Sequence, residues 1–560
     1  MADPQVISRR NLLKRGAAMA VALPLLGTVA CSRTASSGQQ QRSSSNGGAQ
    51  LTIAVSALLA SLDREFEIGA ASMEAMNNVF EPLVEFSNRP FKDTGSRVPE
   101  YDTGKWELRL LAEEPKVSDD GLTWTLVFRE GVKSHSGNPL VAADFAYAIE
   151  RHQQVWSLGS FYNFVAGLLP RERTSWKVVD DRTLEVTTEK PSPLFKILLQ
   201  NNFAFGLFDS VASKAAATSG DPWAKEWMKA NGSLAGHGPY TITEHRPGQQ
   251  TVFTAFDDYF RGKPKVQTVV HRQVDSSSTR VALLRSGEVD IVRDLLPTEL
   301  KSLEGAPGVV VDNFNESLFL LLFMMLNNGV EPFNDKKVRQ AIAHAVPYNK
   351  IVSDVYQGYA SPWKGVISRD YPYFYADAWT YGDGANPTKA RELLEEAGHA
   401  KGFSCELLVN SSEPVSEQVA ILIQSTLRDI GIDLRLNKLA AAAFTDRLTG
   451  RKYEGAAIWQ DLALTPDIGY NCFLYYRSTA FANVAGYASD ETDKLVDKLL
   501  TTMDGPEREE TAKEFQRRIV DDSPAIFLCQ PHYVIARRDR VKGITAYPSR
   551  TIRFDEVELA

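Results

Sequence analysis

EPKVSDDGLTWTLVFREGVKSHSGNPLVAADFAYAIER, residues 114–151, is the stretch from which the rest of the chain can be read. Leu122, Trp124, Leu126 and Phe128 alternate with Thr123, Thr125 and Val127, the period-two pattern of a half-buried strand. Ser118-Asp119-Asp120-Gly121 ahead of it is turn chemistry, with a glycine free to take positive φ. After Ser136-Gly137-Asn138-Pro139, the spacing of Phe145, Ala148, Ile149 and His152 predicts a helix over 142–151. A strand therefore runs into Arg129-Glu130-Gly131-Val132, a polar hook at His135-Ser136-Gly137 follows, and Ala143-Asp144 opens a helix.

That ordered string resembles the signature region of the large extracytoplasmic solute-binding proteins of ABC importers, the oligopeptide/dipeptide/nickel-type family. Further blocks follow in the family's order: Pro191 to Leu199, then Gly236-His237-Gly238-Pro239-Tyr240 and Tyr259-Phe260-Arg261-Gly262-Lys263-Pro264. Beyond Leu318 come Asn327-Asn328, Pro332-Phe333-Asn334-Asp335 and Val338-Arg339-Gln340-Ala341. The resemblance covers nearly all of 51–550, and the shared order is more specific than any one block. His237 stands where the family usually has Thr, and an exposed turn is its plainest expected setting.

The resemblance implies an α/β fold of two lobes, the type II, cluster C-like periplasmic-binding-protein architecture, with a subdomain inserted in the first lobe. Carried onto this chain, lobe one is 51–80, 208–308 and 531–560, the insertion is 81–207, and lobe two is 309–530. The hinge is expected near 309–313 and 530–534. The implied function is that of an ABC importer's receptor, not an enzyme: a solute caught between closing lobes is delivered to the permease and its ATPase subunits. A short peptide leads as ligand, with an oligosaccharide or another small organic solute as the alternative. A secreted hydrolase is the competing class.

Length, charge and punctuation fit. At 560 residues more than one domain is expected. A formal charge of -8 argues against nucleic acid as a partner. Paired arginines in Ser8-Arg9-Arg10-Asn11-Leu12-Leu13-Lys14 precede the apolar run 17–29, and resemble a twin-arginine export signal. The run ends at Thr28-Val29-Ala30-Cys31 and a Ser/Gly/Gln-rich tract continues to 50. This resembles a lipoprotein cleavage box ending a signal at 31, with Cys31 lipidated and 32–50 as a flexible tether. Thr28 stands where the box usually has Leu, so cleavage after Ala30 to release a soluble protein stays open. The expected product is an extracytoplasmic monomer, in the periplasm or on the outer face of the cytoplasmic membrane, held there by lipid alone.

Cys405, Cys472 and Cys529 remain in the body, match no zinc spacing, and read as small buried apolar residues. Motifs for a nucleophile elbow, a zincin helix, a Walker loop or a C-x-x-C are absent, and the 8 histidines are scattered. No cofactor and no metal site is expected.

For the ligand, peptide binders of the family carry a Trp-x-x-Asp segment whose Asp pairs with the ligand's amino group. Here the segment is Trp459-Gln460-Asp461-Leu462, with Pro466 and Asp467 downstream. Leu462 stands where the Asp belongs and Asp461 is one position early. On a strand that slip turns the side chain to the other face; on an irregular loop it could still reach. The other candidate contacts are Phe161 and Tyr162 in the insertion, Phe323 ahead of Asn327, and Arg477 as a bidentate partner for a carboxylate. Core packing is the competing reading for each aromatic.

Overall fold

In the computed structural model the opening stretch forms a strand, Thr123–Val127, and a helix, Ala142–Gln154. The structure describes residues 49–66, 69–92, 94–101, 105–155, 157–168, 175–315, 320–462, 465–547 and 549–560; the signal, the tether and Cys31 lie outside it. Trp124 and Leu126 are buried while the threonines between them are half-buried, so the alternation is that of a one-sided sheet. The strand pairs antiparallel with Thr183–Thr187 in a four-stranded sheet of the insertion.

The polar hook ties this insertion to the first lobe. The His135 ring nitrogens lie 2.6 and 2.9 Å from the carbonyl oxygens of Ser233 and Gly238. Gly236 and Gly238 are there because the chain runs against the end of helix Ala70–Val79. A Cβ on Gly236 would sit 2.2 Å from the Val79 carbonyl oxygen, and one on Gly238 2.6 Å from that of Asn78. His237 between them is not at an exposed turn. It is buried, and burial pushes its ring down to about 3, beyond protonation at neutral pH.

Two sheets organise the remainder. The first has seven strands, in the order Tyr240–Arg246, Gln250–Ala255, Thr268–Gln273, Gln50–Val55, Ile291–Val292, Tyr533–Arg538 and Val309–Phe314. The second has six, in the order Ala360–Pro362, Ala525–Pro531, Leu320–Leu326, Ala456–Leu462, Phe403–Asn410 and Ile432–Leu439. The chain passes between the sheets after Phe314 and returns between Pro531 and Tyr533. Val309–Phe314 pairs along its length with Tyr533–Arg538, so it belongs to the first lobe's sheet. The crossing expected near 309–313 thus includes a strand paired within the first lobe's sheet.

Helices flank both sheets, and their ends follow local chemistry. Asp335 accepts the Lys337 N–H and Asn386 the Lys389 N–H at two N-termini. Gly431, at φ +87°, separates helix Pro414–Arg428 from strand Ile432–Leu439. Cys405, Cys472 and Cys529 are buried and unpaired, as small apolar residues would be.

Different forces fix the two sides of the insertion. Toward lobe one the contact is a buried polar network: Arg151 pairs with Asp63 at 2.8 Å, and His152 Nε2 meets Glu65 at 2.8 Å. Toward lobe two it is aromatic, with Tyr162 stacked on Tyr470 at 5.6 Å and Phe161 packed on Tyr470, Phe473 and Phe481. The apolar cores of insertion and second lobe run together through these rings.

Candidate ligand-binding cleft

A cavity of about 570 Å³ lies between the two sheets. Its first-lobe wall is formed by 55–58 and 293–297, the loops leaving the carboxyl ends of strands Gln50–Val55 and Ile291–Val292. These strands are parallel neighbours, and crevices outside such strand ends are where open α/β sheets hold ligands. The second-lobe wall includes Leu320, Gln460, Leu462, and Ser412 and Glu413 with the first turn of helix Pro414–Arg428. The return crossing, 531–534, Arg550, the start of helix Ala70–Val79 and the rings of Tyr356 and Tyr359 also line it. The volume falls within the roughly 300–1,000 Å³ usual for small-solute sites.

Two residues here are held in a backbone conformation that side chains disfavour. Asp294 and Arg550 both adopt φ +56° and both line the cavity. Asp294 accepts a 2.7 Å bond from the Ser56 hydroxyl. Arg550 donates to the carbonyl oxygens of Pro531 and His532 and lies over the Tyr533 ring. No sequence motif marks either residue; only the path of the backbone does.

The segment around Trp459 proves to be a strand. Ala456–Leu462 pairs in register with Leu320–Leu326, Leu462 opposite Leu320. Gln460 and Leu462 therefore face the cavity, and Trp459 and Asp461 the other side. Asp461 accepts a 2.6 Å bond from the Tyr475 hydroxyl, and burial raises its carboxyl above the usual range, partly countered by that bond. It meets a group of tyrosines, Tyr162 and Tyr470 among them, instead of the cavity. Trp459 is half-buried, stacked on Phe323 with ring centroids 5.8 Å apart.

Five further candidates are occupied by structural duties. Phe323 is fully buried among Trp459, Trp363, Tyr475 and Phe527, so it is core and not a stacking surface for ligand. Asp467 caps helix Ile468–Tyr476 through the Tyr470 N–H and pairs with buried Arg508 at 2.7 Å. Arg477 is engaged by Asp497 and Thr479. Tyr162 is fully buried, and with Phe161 it meets the second lobe's own rings. Of the sequence candidates, none lines the cavity; Leu462, noted only as a departure, does.

Among the described residues no group of three or more His, Cys, Asp or Glu could hold a metal ion, and no helix is long and apolar enough to cross a membrane.

Two lobes, two crossings and a solute-sized cavity between them define a binding protein of the hinged type. Residues 109–481 match the family described as bacterial extracellular solute-binding proteins, family 5, and the chain belongs to that family. The glutathione-binding protein of Pectobacterium atrosepticum is 26% identical over 477 residues, 82% of this chain and 87% of that one. The ABC transporter-associated periplasmic binding protein DppA of Helicobacter pylori, solved with the peptide STSA, shares the fold at a TM-score of 0.73 and 24% identity, over 91% of this chain and 98% of that one. The A. tumefaciens binding protein AgaA, solved with agropinic acid, superposes at 0.72 with 23% identity, over 91% and 99%. The protein is thus an extracytoplasmic substrate-binding receptor, and its fold alone does not choose the solute.

Proposed function

We propose that this receptor captures a short peptide or peptide-like solute in the cavity between its lobes and presents it to an ABC permease. The observation that carries the reading is the cavity itself, walled by the strand ends of one lobe and by Leu320, Gln460 and Leu462 of the other. A solute touching both walls stabilises the closed arrangement over the open one by its differential affinity. A glutathione-binding relative matched over most of its length supports a peptide-like ligand. The volume favours a few residues over a long chain.

The receptor works as a monomer in two lobes: residues 51–80 and 208–315 together with the stretch from 533, and residues 320–531. The insertion is 81–207. Export follows the twin-arginine signal around Arg9-Arg10, and Cys31 carries the lipid that holds the protein at the membrane through the 32–50 tether.

A thermal-shift panel of dipeptides to pentapeptides tests the reading. A binding peptide raises the melting temperature by mass action. Leu462→Trp, which narrows the cavity at its second-lobe wall, abolishes that rise without lowering the ligand-free melting temperature by more than a few degrees. A peptide that stabilises both proteins equally would place its site elsewhere.

A further inference from the structure

The second-lobe wall holds a carboxylate with no counter-charge. Glu413 follows strand Phe403–Asn410, which runs parallel to Ala456–Leu462 with Leu407 opposite Ala456 and Leu408 opposite Ala457. Continuing that register brings Asn410 level with Trp459, so the 411–413 turn emerges beside Gln460 and Leu462. Glu413 occupies the N-cap position of helix Pro414–Arg428, yet its side chain makes no capping bond. Instead Oε1 accepts from Asn410 Nδ2 and Oε2 from Ser416 Oγ, each at 2.9 Å, and Gln460 also donates to it.

Every one of these donors is neutral. Among the described residues no ion pair involves Glu413, and it is half-buried in the cavity lining. Burial raises its carboxyl above the usual range, and the three neutral donors only partly offset that. The cavity's arginines belong to the opposite wall and have their own partners. Arg293 is joined to Glu74 and Tyr533, and Arg550 to the backbone of the crossing. Three side chains thus aim a half-desolvated carboxylate while leaving its charge unanswered, an arrangement that a cationic group on the solute completes.

The geometry points to Glu413 as the residue that selects an ammonium group on the solute, on the same wall where Leu462 offers only apolar surface. This deepens the peptide reading above, since it names the end of the peptide that the second lobe grips. A solute whose amine is held by lobe two while its remainder lies against lobe one couples charge recognition to closure.

The test uses the purified protein and isothermal titration against the full set of dipeptides, each with a free and an N-acetylated amino terminus. Putrescine is added as a non-peptide amine and maltotriose as an uncharged solute. Binding of a free-amine dipeptide, weakened at least tenfold by acetylation and at least tenfold by Glu413→Gln, upholds the inference. The ligand-free melting temperature reports whether the variant is folded, and the acetylation contrast in the unaltered protein decides alone if it is not. Binding of putrescine but no dipeptide, again dependent on Glu413, upholds the ammonium site and overturns the peptide reading. Dipeptides bound equally in free and acetylated form, and equally by E413Q, overturn the inference while leaving the peptide reading intact. Binding of maltotriose alone overturns both.

Discussion

Glu65 shows how much charge the seam between the insertion and the first lobe carries. Burial alone would push its carboxyl up, but His152, Arg64 and Arg151 overcome that and hold it at about 2, against an ordinary 4.5. A carboxylate depressed on folding contributes stability that is complete above its unfolded value. The contribution is lost as pH falls from about 4.5 towards 2. Glu65→Gln takes the carboxylate partner from Arg64 and His152, and is expected to cost ~3–5 kcal/mol at pH 7. It should also flatten the acid limb between pH 5 and 2, as urea midpoints measured across that range would show. An unchanged acid limb would mean that Glu65 is not ionised in the native protein.

At the scale of elements, helix Leu158–Val165 of the insertion and helix Ile468–Tyr476 of lobe two are joined by the stacked Tyr162–Tyr470 pair, and ligand-induced closure is expected to lean on that contact. Tyr470→Ala removes the stacked partner of Tyr162 and a contact of Phe161. A pair of this kind is worth roughly 0.5–1.5 kcal/mol beyond its buried area, so ligand dissociation constants should rise by about 3–10-fold. Tyr470→Phe, which gives up only the 3.3 Å hydroxyl contact, should stay near the parent. Equal losses in both variants would assign the effect to the hydroxyl.

This contact was half legible in the sequence: Phe161 and Tyr162 stood out, but their partners, Tyr470, Phe473 and Phe481, are about 310 residues away and carry no local signal. Helix ends were legible because their causes are local. Asp335, Asn386 and Gly431 each act within a few residues of themselves. The cleft was not legible. Whether 459–462 is strand or loop decides which side chains face the solute, and only pairing with Leu320–Leu326 settles it in favour of Gln460 and Leu462. Glu413 lacked any signal because an acidic residue before a proline-led helix looks like one more cap.

For the molecule as a whole, His532 sits where the chain returns between the lobes. Its Nδ1 donates to Asn313 Oδ1 at 2.6 Å, and its Nε2 accepts from Ser361 Oγ at 2.7 Å. The first partner belongs to the seven-stranded sheet and the second to the six-stranded one, so a neutral imidazole bridges both. Burial, then the nearby Arg369, Arg550 and Lys92, push it down to about 3. A histidine depressed on folding costs nothing above its unfolded value of about 6.5 and erodes stability as pH falls from there towards 3. His532→Gln, able to donate and accept in the same place, is expected to give a flatter melting-temperature profile between pH 7 and 4. A profile parallel to the parent's would remove His532 from the acid response.

The central claim is that the cavity between the lobes is filled by one short, peptide-like solute. Native mass spectrometry of the mature protein, gently desalted and then denatured to release what it carries, addresses that claim directly. One bound solute per chain is expected, with released masses matching peptides of a few residues that bear a free amine. Release of a single sugar, or of a solute without nitrogen, would contradict it.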